Sequence, residues 1–220
     1  MSDSSLAFAP AAPSAIPVSA PAARSAIAKG SIEFKRSNRA LFFGGFSTFS
    51  LLYCIQPLFP LLSQQFHLTP AQSSWSLSVS SGLLAISLVL LSAVSDRIGR
   101  KPLMVASMFS AAILTILSAF AQDYAQLLAI RAALGIALGG MPAVAMAYLG
   151  EEIEGPSLGL SMGLYIAGSA FGGMSGRLIA SMLSDFLSWR WALGVLGVAG
   201  VLIALRLRHL QPLGAREAVG

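Results

Sequence analysis

From residue 40 onward the chain alternates long apolar runs with short polar punctuation, and six such runs can be marked, at 40–62, 74–94, 103–120, 124–148, 158–183 and 191–207. A hydrocarbon core about 30 Å thick is crossed by about 20 helical residues, with a range of about 17–25. Each run reaches that range. The runs are apolar around the whole helix circumference, which leaves no stripe for water. Helices buried in a large soluble protein share that property, but six runs of spanning length, joined by loops of alternating charge, fit a bilayer. The pattern therefore predicts an all-α membrane protein of six transmembrane helices, with successive helices antiparallel because the connections are short.

The flanks differ in kind. Residues 1–38 open with an Ala-, Pro- and Ser-rich stretch that carries too little bulky apolar side chain to form a core, and they are expected to be a disordered cytoplasmic tail. Prolines interrupt every apolar stretch there and the basic residues come last, which argues against a signal peptide. The six-helix bundle is assigned to 39–210, and 211–220 to a cytoplasmic tail or the start of a central loop.

Composition supports this division. Of 220 residues, 55% are hydrophobic and 10% charged, and the mean hydropathy is +0.75, against about 25% charged residues in ordinary soluble domains. The net charge of +5 does not imply nucleic acid, because the basic residues fall between apolar runs instead of along one face. Lys35, Arg36 and Arg39 precede run one, Arg97, Arg100 and Lys101 lie between runs two and three, and Arg206, Arg208 and Arg216 close run six. The opposite loops hold only Arg190, so both termini are expected in the cytoplasm. Trp75, Trp189 and Trp191 fall at the outer run ends and are assigned to the interfacial aromatic belt. The single cysteine, Cys54, leaves no intrachain disulfide, and no phosphate-binding glycine loop or nucleophile set suggests an enzyme or a cofactor.

The loop between runs two and three reads Ser92-Ala93-Val94-Ser95-Asp96-Arg97-Ile98-Gly99-Arg100-Lys101. Gly99 permits the positive φ that a tight reversal needs, Asp96 can complement a neighbouring helix end, and the basic residues can pair with carboxylates. This loop resembles the signature loop of the major facilitator superfamily, G-x-L-a-D-R-x-G-R-K, at Asp96, Arg97, Gly99, Arg100 and Lys101, with Ser92 in place of the first glycine. The resemblance implies a cytoplasmic gate in which the basic residues meet acids at the end of run four, where Glu151 and Glu152 stand, while Asp96 meets a second half.

Run four contains Arg131 with Gly135 and Gly139, similar to the family's R-x-x-x-G-x-x-x-G motif. A charge at that depth is expected to face the interior or a watery cavity, and the resemblance implies a role for Arg131 in proton or substrate coupling. Gly168, Gly172 and Gly176 in run five give a small-xxx-small stripe for close helix packing, as do Gly135 and Gly139. The stripe partly resembles an antiporter motif, with Gly173 where that motif has proline and Arg177 where it has glycine. Arg177 is expected to snorkel or to pair with Asp185. In run one, Tyr53 and Gln56 are candidate cavity-lining groups, and Pro57 and Pro60 are expected to free carbonyls or kink the helix.

The stretch from Tyr148 to Arg190 is similar to a bacterial inner-membrane subgroup of efflux-type permeases. Taken together, the resemblance implies a three-plus-three inverted repeat within one half of a major-facilitator fold. It also implies secondary active transport of a small solute, coupled to protons and directed outward, with a C-terminal six-helix half as partner in the lipid bilayer. A truncated or half-size membrane protein without transport activity of its own, or an assembly partner, is the alternative.

Overall fold

The computed structural model describes residues 30–153 and 155–210, except for the side chains of Asp96, Glu152 and Leu210. Eight α-helices follow in order: α1 (Ile32–Tyr53), α2 (Phe59–Phe66), α3 (Pro70–Ile98), α4 (Arg100–Ser118), α5 (Tyr124–Leu138), α6 (Gly140–Glu152), α7 (Gly155–Phe186) and α8 (Trp189–Leu210). A single 3₁₀ turn (Gln56–Leu58) joins α1 to α2. The described residues contain no strand.

All six apolar runs are helical. Five stretches (Ile32–Phe66, Pro70–Ser95, Arg100–Ser118, Tyr124–Glu151 and Trp189–His209) are long and apolar enough to cross a membrane. The 32-residue α7 is not among them, because glycines such as Gly159, Gly163, Gly168, Gly172 and Gly173 alternate with serines along it and dilute its apolar character.

The tail boundary expected at residue 38 moves. Helix α1 already begins at Ile32, where the Ser31 side chain accepts a hydrogen bond from the Phe34 N–H and satisfies one of the free donors of the first turn. Residues 1–29 and 211–220, assigned above to tails, lie outside the described residues.

Two of the runs are broken. Pro57 cannot donate to the Tyr53 carbonyl, so α1 ends at Tyr53 and the chain passes through the 3₁₀ turn before α2 resumes with Pro60 in its first turn. Pro142 likewise sits in the first turn of α6, and the ladder shifts to a Gly139 N–H to Ile136 carbonyl bond at the break.

Packing follows three principal pairs, α1 with α7, α4 with α8, and α3 with α5. Glycine contacts give their directions. Gly168, Gly172 and Gly176 meet the carbonyls of Phe42, Phe46 and Ser50 in rising order, so α1 and α7 run parallel. Gly135 and Gly139 meet Ser80 and Ser87 in rising order, so α3 and α5 are parallel too. Gly197 meets Ile116 and Gly200 meets Ala112, so α4 and α8 are antiparallel. These directions are those of a chain that reverses at each successive run.

The core forms two clusters. One holds Leu51, Ile55, Leu58, Leu62, Leu127, Leu134 and Trp189 near the broken end of α1, and the other holds Phe34, Leu41, Met104, Met108, Met141 and Leu149 toward its start. The three tryptophans assigned to the belt differ in setting. Trp75 and Trp191 are exposed, whereas Trp189 is 5% exposed, with Phe66 edge-on to its ring at 6.1 Å. Its indole fills the gap where α8 starts beside α2.

Candidate functional site

At the reversal between α3 and α4, Gly99 adopts φ 94°, a conformation that a residue with a Cβ reaches only with strain. Its N–H closes α3 on the Ser95 carbonyl, and Arg100 starts α4. Arg100 there donates to a carboxylate oxygen of Glu151 at the far end of α6, forming an ion pair that ties α4 to α6. Arg97 is exposed, and Lys101 follows Arg100 in the first turn of α4. The side chains of Asp96 and Glu152, the other acids expected here, are outside the described residues.

Arg131 is fully buried. Its guanidinium donates from Nη1 to the Leu51 carbonyl at 3.2 Å and from Nη2 to the Leu52 carbonyl at 2.7 Å. Nε donates to Ser76 of α3 at 3.3 Å. Leu51 and Leu52 sit in the last turn of α1, where carbonyls lack helical donors because the proline break ends the ladder. A cation here also faces the negative end of the helix dipole. Ser80 completes the seam by donating to the backbone carbonyl of Arg131 at 2.8 Å. The cavity or interior expected around Arg131 is thus a closed polar joint between three helices.

The glycine stripes bring backbones together. A Cβ at Gly168 or Gly172 would overlap a carbonyl of α1, and one at Gly176 would sit 2.6 Å from the Ser50 carbonyl. At Gly135 and Gly139 the same addition would overlap Ser80 and Ser87 of α3. Only a hydrogen side chain fits at these approaches.

Two adjoining grooves open along α1 and α7. A larger one of ≈ 580 Å³ is lined by Leu88 and Ser92 of α3, Pro142 and Met146 of α6, and Tyr165 of α7, among others. A smaller one of ≈ 310 Å³ is lined by Tyr53, Gly173, Met174 and Arg177. Phe49, Ile166 and Ser169 belong to both, which makes one continuous trough. Tyr53 lines it as expected for a cavity residue, but Gln56 is exposed in the 3₁₀ turn and lines neither groove. Arg177 does not pair with Asp185. Its guanidinium lies over the Tyr53 ring, 4.4 Å from the centroid, and Phe49 stacks on that ring at 6.0 Å.

Several groups at these joints carry no distinctive sequence signal. Arg190 donates to the Ala119 carbonyl at 2.7 Å and so closes the end of α4. The Tyr124 hydroxyl donates to the Gln72 carbonyl and pins α5 to the start of α3. Ser37 and Tyr148 share a 3.0 Å hydrogen bond between α1 and α6. Their partners are backbone carbonyls or distant hydroxyls, which no local motif reveals.

Apolar helices of spanning length, glycine-tight seams and a buried arginine on backbone carbonyls define a polytopic helical membrane protein. The profile of the major facilitator superfamily matches residues 41–218, and the chain belongs to that family. It is 46% identical over 197 residues to the inner membrane transport protein YnfM of Escherichia coli, covering 86% of this chain and 47% of that protein. It is 45% identical over 193 residues to the uncharacterized MFS-type transporter YybF of Bacillus subtilis, covering 84% and 48%. Against the multidrug resistance protein MdtG of Proteus mirabilis it is 30% identical over 162 residues, covering 71% and 40%. The chain thus spans about half the length of the curated relatives it matches.

Proposed function

We propose that this chain forms the first six-span half of a secondary transporter that moves a small solute outward across a bacterial inner membrane in exchange for protons. The observation that carries this reading is the trough along α1 and α7, lined by residues of α1, α3, α6 and α7 and open along its length. A second six-helix half packed over it would enclose a central solute path. Rocking of the halves would then open that path to either side.

The helix pairing supports a three-plus-three inverted repeat. Exchanging the first three spans with the last three turns the α1–α7 pair into the α5–α3 pair and returns α4–α8 to itself. Both exchanged pairs are parallel and both are sealed by glycine contacts. The Lys and Arg distribution supports cytoplasmic termini. On this orientation the Arg100–Glu151 pair, with Asp96, Arg97, Gly99, Lys101 and Glu152 around it, forms a cytoplasmic latch. Arg131 couples the joint of α1, α3 and α5 to transport.

The test is reconstitution of the complete protein in liposomes loaded with a pH-sensitive dye. A panel of cationic dyes, neutral sugars and aromatic carboxylates is then offered under an imposed proton gradient. At least one solute should move protons, and Arg131→Ala should abolish the coupling. Flux unchanged in Arg131→Ala would refute that role, and silence across the panel from well-folded protein would refute transport.

A further inference from the structure

The trough is strongly one-sided in charge. Of the described residues that line it, Arg177 alone is ionisable at neutral pH, and among the described side chains no carboxylate, lysine or histidine lines it from α1, α3, α6 or α7. Among the described residues Arg177 forms no ion pair, and its contact is the face of Tyr53. That arrangement leaves the guanidinium edge, which carries the N–H fork, available to a ligand while the ring holds its plane.

The remaining walls are apolar or aromatic, with Phe49 stacked beside Tyr53 and with Met146, Ile166 and Met174 further along.

Resting on the transporter reading above, we infer that the trough accepts an aromatic organic anion, a carboxylate carried on an apolar ring system. The carboxylate takes the forked N–H groups of Arg177 in the planar, bidentate geometry that guanidinium favours. The ring system lies against Phe49 and Tyr53 in offset or edge contact. An organic cation of the same size would meet the positive charge of Arg177, with no acid among the described lining residues to receive it.

The experiment compares two ligands of matched shape, 2-naphthoate and 2-naphthylmethylammonium, by equilibrium dialysis against the purified complete protein in detergent. Naphthoate should bind saturably and the ammonium at least about tenfold more weakly. Arg177→Gln should weaken naphthoate by about tenfold or more, as truncating one partner of a charge pair does. Arg177→Lys should recover only part of the loss, because an ammonium keeps the charge but not the fork, and Arg208→Gln, an exposed arginine in the last turn of α8, which lines neither groove, should bind as the parent does. A preference for the ammonium, or undiminished naphthoate binding in Arg177→Gln, overturns the assignment. Arg177-dependent binding without naphthoate flux in liposomes upholds the anion site and rejects the transport reading. Flux of another panel solute without Arg177-dependent naphthoate binding does the reverse.

Discussion

Arg131 on α5 and Leu52 on α1 stand 79 residues apart in the chain and are joined by a 2.7 Å hydrogen bond from Nη2 to the carbonyl oxygen. With the parallel bond to Leu51, it makes a side chain of the fourth span the cap of the first.

Removing that cap should cost stability. Arg131→Ala orphans the Leu52 carbonyl and leaves that of Leu51 with only the weak Cys54 thiol donor. An unsatisfied buried group costs about 1–3 kcal/mol, so a loss of at least that size is expected, seen as a lower midpoint in detergent thermal denaturation. Arg131→Lys should fall between, since a single ammonium cannot reproduce a fork that reaches Leu51 and Leu52 together. Alanine and lysine variants of equal, parental stability would rule out the capping role.

Cys54 reports on the same joint. It is the only cysteine in the 220-residue sequence, is fully buried, and donates through Sγ to the Leu51 carbonyl at 3.2 Å. In the 220-residue chain a membrane-permeant maleimide should label it slowly, and Arg131→Ala should raise the rate severalfold by loosening the end of α1. Fast labelling of the parent chain would mean that this region opens readily without any mutation.

Glycine substitutions along α7 should split sharply by position. Gly172→Ala drives a Cβ into the Phe46 carbonyl, an overpacking that costs about 1–3 kcal/mol. Gly159→Ala meets nothing within 4 Å and should be neutral or stabilising by up to about 1 kcal/mol, because alanine loses less backbone freedom in a helix. Thermal denaturation of the two variants side by side decides it, and equal effects would show that the α1–α7 approach is looser than described.

The Arg100–Glu151 pair should be weak in energy. The two side chains are 19% and 49% exposed, and exposed pairs contribute about 0.2–1 kcal/mol. Arg100→Glu and Glu151→Arg should each alter stability only slightly, and the double swap should recover the parent. The coupling should fade as salt rises. A coupling well above 1 kcal/mol would place the pair in a drier setting than its exposure indicates.

How much of this could be read in advance depends on where the partner of each group lies. Helix positions follow from apolar content, which is local, and the positive φ of Gly99 was legible because the loop is too short for anything else. The glycine stripes announced close approach but not the neighbour, and only the fold assigns α1 to one stripe and α3 to the other. Arg131 was expected in an interior or watery cavity. Its acceptors are carbonyls of Leu51, Leu52 and Ser76, which every residue carries, so side-chain chemistry could not name them. Trp189 was placed in the belt by its position at a run end, a rule that ignores what the next helix offers. Phe66 and the start of α8 made a pocket there. Arg177 was expected to snorkel or to pair with Asp185, the nearest acid in sequence, whereas the aromatic face of Tyr53 that it meets lies on a different helix. The tail boundary failed for a smaller reason, since one serine at position 31 supplies the cap that starts α1 early.

The Leu51 and Leu52 carbonyls, freed by the proline break, are synthesised 80 and 79 residues ahead of the arginine they seat. Arg131 leaves the ribosome well after α1, so its acceptors are already in the bilayer when its span arrives. An arginine that entered lipid without them would face a charge cost of at least about 2.5 kcal/mol on insertion scales. The first span therefore prepares the seat of the later one, and a chain engineered to begin at α3 would deliver the Arg131 helix to the membrane with only the Ser76 carbonyl left to receive its charge.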